Sequence, residues 1–143
     1  MPLPVYLQET PYSYVAACLR IVFAHFGTHV TEDELRERSY TTLWGTSTTD
    51  AVRCAVQYGF EATLERGTAQ ELGNWIADGF SPIVIIRLPS YGKHVVVIES
   101  LERAEIVYID PADGKRHKEP LETLLATWQG GGGETLLIRG IKQ

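Results

Sequence analysis

An α+β fold is predicted, with an N-terminal helical half packed on a C-terminal antiparallel sheet. Three observations carry this prediction. Apolar residues recur at helical spacing as far as Gly79, short runs rich in β-branched residues follow Pro82, and the two patterns are segregated rather than alternating along the chain. At 143 residues, 44% of them hydrophobic, the chain fits one domain over 1–143 that buries about two-thirds of its unfolded surface. No internal repeat or linker divides it.

The first helix is read from Ser13 through Ala16, Ala17, Leu19, Ile21, Val22, Phe23 and Phe26, with Gly27 ending it in a C′ role. Apolar around most of its surface, it belongs at the centre of the fold. Thr31-Glu-Asp-Glu34 has the form of a capping box and places carboxylates at the positive end of a second, shorter helix whose polar face is expected in solvent. Gly45-Thr-Ser-Thr-Thr-Asp50 supplies a loop and N-cap for a third helix through Ala51, Val52, Ala55 and Val56, stopped by Gly59. A second capping box, Thr68-Ala-Gln-Glu71, opens a helix with Leu72, Trp75 and Ile76 that ends near Gly79.

Strands follow at Ile83 to Leu88, His94 to Ile98 and Ile106 to Ile109. Asp113-Gly114 turns the chain into Lys115 to Glu119, Leu121 to Trp128 forms a short helix, and Glu134 to Arg139 closes the sheet. Gly130 to Gly133 is a loop. With no strand before it and no Lys-Ser/Thr after it, it lacks the context of a phosphate cradle. Trp75 and Trp128 are read as core anchors.

Composition excludes several function classes. Net charge is −5 and pI is about 5.3, with no Lys/Arg cluster long enough to track a phosphate backbone, so nucleic acid is not an expected partner. Met-Pro-Leu-Pro lacks a basic flank and an apolar core, and no run approaches the roughly 20 apolar residues of a spanning helix. A soluble chain with no membrane segment and a cytoplasmic address is expected. Cys18 and Cys54 each lie in apolar-periodic segments and are read as reduced core residues. His25, His29 and His117 fall in separate segments without metal-ligand spacing, so neither a metal site nor a cofactor is expected.

Four positions carry the chemistry. A thiol hydrolase needs a thiolate at a helix N-terminus, an imidazole to take its proton, a group to orient that imidazole, and an oxyanion donor. His94 opens an apolar strand, Asp110 ends the next one, and Gln8 lies six residues before Tyr14, which stands at the helix N-terminus. A tight strand pairing would bring Asp110 beside His94. By themselves, however, a lone histidine is a strand-edge residue and Asp110-Pro111 a turn signal.

The ordered set resembles the bacteriocin-processing, double-glycine-leader peptidase family, a papain-like group often found as the N-terminal domain of peptide exporters. Gln8 and Tyr14 reproduce the spacing of its oxyanion glutamine and catalytic cysteine, and Ala16-Ala-Cys-Leu19 its small-small-Cys-Leu run. Gly45-Thr-Ser47, Tyr58-Gly-Phe60, Pro82, Lys93-His94-Val-Val-Val97, Asp110-Pro-Ala-Asp-Gly114 and Trp128-Gln-Gly130 follow in order, so the likeness covers nearly the whole chain. The resemblance implies a papain-like cysteine peptidase fold, with Gln8 as oxyanion donor, His94 as general base and Asp110 as its orienting partner.

The nucleophile does not carry over. Tyr14 stands where the family has its cysteine, and a phenol with an ordinary pKa near 10 does not replace a thiolate. Cys18 lies one helical turn, about 6 Å, farther on, where the family has a non-catalytic cysteine. Some haemolysin-type exporters resemble this chain in carrying tyrosine at the same place, which implies a domain that docks unfolded transport substrate without cleaving it. Three functions are therefore open: a silent peptidase-like domain that binds an extended peptide in the former cleft, a leader peptidase whose cysteine has been replaced or a hydrolase with another nucleophile, and an adaptor whose cleft Tyr14 fills. A peptide or unfolded polypeptide is the expected partner, with a peptide exporter behind it. Trp44 and Tyr91 are candidate binding aromatics that stack on His94, and the Tyr14 hydroxyl is expected to bond to His94, Asp110 or Gln8.

Overall fold

The computed structural model describes residues 2–89 and 92–140. Helix α1 (Tyr14–His25) buries Val15, Ala16, Ala17, Cys18, Leu19, Ile21, Val22 and Phe23, so it is enclosed by other elements, as its sequence requires. Gly27, at φ +91, ends it in a Schellman motif: Thr28 N donates to Phe23 O (2.9 Å) and Gly27 N to Ala24 O (3.0 Å). Two helices pack beside it, α2 (Glu32–Arg38) and α3 (Thr48–Gln57). There follow β1 (Phe60–Arg66), α4 (Ala69–Ala77), β2 (Ile83–Leu88), β3 (Gly92–Glu102), β4 (Glu105–Asp110), β5 (Lys115–Pro120), α5 (Leu121–Gly130) and β6 (Glu134–Gly140).

The strands form one antiparallel sheet in the order β1-β6-β2-β3-β4-β5. Alternation along β2 and β3 sorts the core into two clusters. Ile83, Ile85, Val95 and Val97 join Leu19, Phe23, Leu35 and Ala51 of the first three helices. Val84, Ile86, Val96 and Ile98 join Leu72 of α4 and Leu124 and Trp128 of α5. The helical half is thus not all on one side of the sheet. Because β2 is apolar at consecutive positions, both of its faces need cover, and α4 crosses to the side opposite α1.

Local expectations divide in the same physical way. Thr68 and Glu71 form the reciprocal capping box, and Ser47 caps α3 by accepting from Asp50 N at 3.1 Å. At α2 the box is absent: Thr31 is the N-cap, but its side chain makes no cap bond. Glu34 instead accepts from the Tyr58 hydroxyl and lies 4.0 Å from Arg38. Nor is the whole polar face of α2 solvated, because Glu32 is 1% exposed. Strand β1 has no counterpart in the sequence reading. Phe60, Ala62 and Leu64 alternate with Glu61, Thr63 and Glu65, a strand period that the sequence reading passed over; only Phe60 is buried, and the strand pairs with β6 along its full length.

Trp128 is fully buried, and its indole N–H donates to Thr135 Oγ1 (3.1 Å) and Glu134 O (3.2 Å), fixing α5 to the start of β6. Trp75 is only partly buried against the same cluster. Among the described residues, no helix is long and apolar enough to cross a membrane. Trp128→Ala is expected to lower unfolding free energy by about 3 to 5 kcal/mol, measured by urea denaturation. A loss below about 1 kcal/mol would show that the cluster under the sheet closes over the gap.

Candidate functional site

The segment before α1 is irregular and held by its own polar groups. Thr10 N donates to Ser13 Oγ at 3.0 Å and Ser13 Oγ to Thr10 O at 3.2 Å, with Ser13 fully buried. This local turn delivers Tyr14 to the first position of α1. From the sheet, β3 brings His94 and the end of β4 brings Asp110. His94 Nε2 and Asp110 Oδ1 are 2.7 Å apart, with side chains 14% and 21% exposed. Ala112 N also donates to Asp110 Oδ1, at 2.9 Å.

Burial opposes ionisation of Asp110. The His94 bond, the Ala112 N–H and the nearby His94 and His117 outweigh that cost and hold the carboxyl below its ordinary value of 3.8. The pair is the arrangement needed to fix an imidazole in one orientation.

Tyr14 is half-buried. Its ring meets the His94 ring edge-on, with centroids 6.1 Å apart and planes at 61°. The hydroxyl lies against Gly45 rather than on His94, Asp110 or Gln8. A Cβ on Gly45, whose φ is +96, would stand 2.9 Å from that oxygen. The phenol is long enough to reach past the imidazole to the loop before α3, where the missing glycine side chain leaves room for it. This contact has no sequence signal beyond the glycine itself.

Gln8 comes to the same cleft with an amide turned back on its own segment. Its Nε2 donates to Thr10 O at 2.9 Å, while its Oε1 is buried without a partner. Its backbone N donates to Pro111 O at 2.8 Å, beside Asp110. Trp44 is 93% exposed and stacks on no ring among the described residues; among these, Tyr14 is the aromatic against His94. Tyr91 lies outside the described residues.

Two cavities meet at Tyr14. One, of about 540 Å³, is lined by Gln8, Tyr14, Lys93, His94, Asp110 and Asp113, together with Pro11, Leu88 and Ala112. The other, of about 380 Å³, is walled by Val15, Ala51, Ile83, Ile85, Val95 and Leu136, with Tyr14, Trp44, Gly45 and Lys93 at its edge. Tyr14 and Lys93 line both. Lys93, read from sequence as the residue before the strand and part of the Lys93–Val97 motif, lies within β3 and gains a place at the junction that only the tertiary structure gives it.

Neither cysteine is placed to act. Cys18 is fully buried and its thiol donates to Val95 O at 3.9 Å; burial, then the charges of Asp110 and Glu32, push its pKa well above the ordinary value. Burial pushes the Cys54 thiol up to about 11. Asp110, Asp113 and His117 bring ligand atoms within 4.8 Å of one another, a grouping the sequence reading did not foresee. Each already has a protein partner: His117 Nε2 is 2.7 Å from Asp113 Oδ2, its ring stacks on Tyr108, and Asp110 serves His94.

Comparison with known proteins gives concordant likenesses. The Peptidase C39 family matches residues 3–138. The lactococcin-G-processing and transport ATP-binding protein LagD of Lactococcus lactis subsp. lactis is 32% identical over 104 residues, covering 71% of this chain and 14% of that protein, so the chain spans a small part of that curated relative. The crystal structure of the peptidase domain of Streptococcus ComA, a bi-functional ABC transporter involved in quorum sensing, superposes with a TM-score of 0.85 at 21% identity over 98% of both chains. A double glycine motif protease from an AMS/PCAT transporter, in complex with its leader peptide, gives a TM-score of 0.83 at 24% identity over 97% of this chain and 92% of that one. The fold is therefore the papain-like fold of these peptidase domains.

Because the folded-state pKa of Asp110 is depressed, the stability it contributes is present above the ordinary value of 3.8 and is lost as pH falls through the folded value. Asp110→Asn is expected to cost about 1 to 3 kcal/mol at neutral pH and to flatten the acid limb of the stability curve. Urea titrations from neutral pH to about pH 2 test this; an unchanged acid limb would remove Asp110 from the linkage.

Proposed function

The chain belongs to the Peptidase C39 family, and we propose that it is a catalytically silent, cytoplasmic peptidase-like domain, one unit over 1–143, that binds an extended peptide in the former active-site cleft. The observation that carries this reading is Tyr14, a phenol at the helix N-terminus where a thiolate would stand, with the His94–Asp110 pair still 2.7 Å apart beside it. The substrate class comes from the relatives: one processes lactococcin G, and another is a double glycine motif protease solved with a leader peptide. A leader or export substrate is therefore the partner, delivered to a peptide exporter.

Binding would use what the cleft retains. The apolar cavity suits one aliphatic side chain of the peptide, since burying it in a pre-formed pocket needs no rearrangement. The junction at Tyr14 and Gly45 leaves little width, so the peptide passes it with small residues only. Lys93, which lines both cavities, supplies a cation within reach of a peptide carbonyl. His94 has no thiol to deprotonate; it supports the Tyr14 ring instead. The Gln8 amide is turned back on Thr10 O rather than held toward the cleft, which fits binding rather than turnover.

A second reading has one observation in its favour: the retained His94–Asp110 pair is the machinery of a peptidase whose cysteine was replaced. Tyr14→Cys separates the two. If the pair is competent, this variant is labelled by a thiol-reactive probe at neutral pH much faster than Cys18 or Cys54 and cuts a double-glycine leader. If it does neither, the frame is specialised for binding.

The peptide-binding reading predicts that a synthetic double-glycine leader shifts the NMR signals of Tyr14, Gly45 and Trp44 with micromolar affinity, as expected for a small groove. Saturating peptide with no shift at these residues would remove it.

A further inference from the structure

The cavity wall that carries Gln8 has no secondary structure of its own, yet two consecutive backbone N–H groups tie it in different directions. Gln8 N donates to Pro111 O at 2.8 Å, on the sheet side next to Asp110. Glu9 N donates to both carboxylate oxygens of Glu32, at 3.0 and 3.2 Å, on the helical side. Glu32 is the first residue of α2 and is 1% exposed. It is a buried charge that neither the core nor the cleft chemistry accounts for.

Its surroundings are a small ionic group. Arg36 Nε of α2 lies 3.5 Å from Glu32 Oε2, and Arg36 Nη2 donates to Glu9 Oε1 at 3.3 Å. Arg20 of α1 reaches Glu9 Oε2 at 3.8 Å. Burial raises the Glu32 carboxyl above its ordinary value; the Glu9 N–H, Ser13 and Arg36 oppose the rise, and the Glu9 charge adds to it. Cys18 of α1 is near enough to sense the charge. A whole buried ion pair can often be exchanged for apolar side chains without loss, but removing one partner leaves the other unpaired, and here that partner is Arg36. Besides meeting Arg36, the carboxylate accepts the Glu9 N–H, which no apolar side chain can do.

We infer that Glu32 is a positioning residue for the cleft: its carboxylate holds the Gln8–Ser13 segment, and through it the placement of Gln8 and the entry of Tyr14 into α1. Without that acceptor, the Glu9 N–H loses its bond to α2, and the segment is held by Pro111, the Thr10–Ser13 turn and the contacts of the exposed Glu9 carboxylate with Arg36 and Arg20. The cavity wall then moves while the core beneath it stays. The inference rests on the cleft being the ligand site only for its effect on peptide affinity; the placement itself is independent of any ligand.

Amide hydrogen exchange by NMR on the full chain, in the wild type, Glu32→Gln and Glu32→Leu, tests it. In Glu32→Leu, exchange at Gln8 and Glu9 is expected to quicken by about tenfold or more, the worth of a charge-assisted bond, beyond any change at Leu19 and Val22 of α1, whose exchange reports the global stability lost when Arg36 is left unpaired. Glu32→Gln, which restores an acceptor without the charge, is expected to fall between that variant and the wild type. A merely structural role predicts that exchange at Gln8, Glu9, Leu19 and Val22 quickens by the same factor, and that result overturns the inference. So does unchanged exchange at Gln8 and Glu9 in both variants. Should either variant fail to fold, the wild type decides. The Glu9 amide proton must shift as the Glu32 carboxyl carbon titrates, and an unresponsive Glu9 amide equally overturns the inference. A double-glycine peptide that fails to bind the wild type leaves these outcomes unaffected and counts against the peptide-binding reading alone.

Discussion

Burial of α1 is the constraint on which the rest of the structure depends. A helix with Ala16, Ala17, Cys18, Leu19, Ile21, Val22 and Phe23 all inaccessible has no face for solvent, so it needs a sheet on one side and helices on the others. The sheet supplies Val95 and Val97 of β3, and α2 and α3 supply Leu35, Ala51 and Ala55. The position of the helix N-terminus follows from that packing. Tyr14 is half-buried there because the residues after it are locked in the core, and β3, packed against α1, carries His94 to the same end. The cleft is therefore a by-product of a packing solution, and its geometry does not depend on which side chain stands at position 14.

That separation lets a phenol stand at the first position of α1 within an intact frame. The Tyr14 ring takes its volume at the rim, where the neighbour is a glycine at φ +96, rather than in the close-packed interior. Two cavities meet at the ring, and the His94–Asp110 pair stands beside it. Glu32 belongs to the same logic from the opposite direction: a charge placed inside the fold to hold a segment that has no ladder or helix of its own.

Most elements are legible along the chain because their signals are local. Gly27, Thr68 with Glu71, and Gly114 act within a turn or two of where they stand, and α1 shows its burial in its own composition. Strand β1 also carries a local signal, the alternation of Phe60, Ala62 and Leu64 with polar residues, that went unread because the run is short and weakly apolar. At α2 the deciding interaction is distant in sequence: Glu34 meets Tyr58 rather than the Thr31 cap. Of the site, the spacing of Gln8, Tyr14, His94 and Asp110 is visible in order, and the structure brings all four to one cavity. The direction of the Gln8 amide, the Gly45 contact of the Tyr14 hydroxyl and the exposed, unstacked Trp44 are not visible, since side-chain orientation depends on neighbours that the order of residues does not specify.

The sequence by itself determined the α+β class, the central helix, the family likeness and the absence of a thiol at position 14, because each is written in composition, periodicity or the identity of single residues. Only the tertiary structure decided that α4 covers the face opposite α1, that Lys93 stands at the junction of two cavities, and that Glu32 is buried on the Glu9 N–H. These depend on long-range packing, in which a residue's environment is set by segments tens of positions away and its own type states only what it can tolerate.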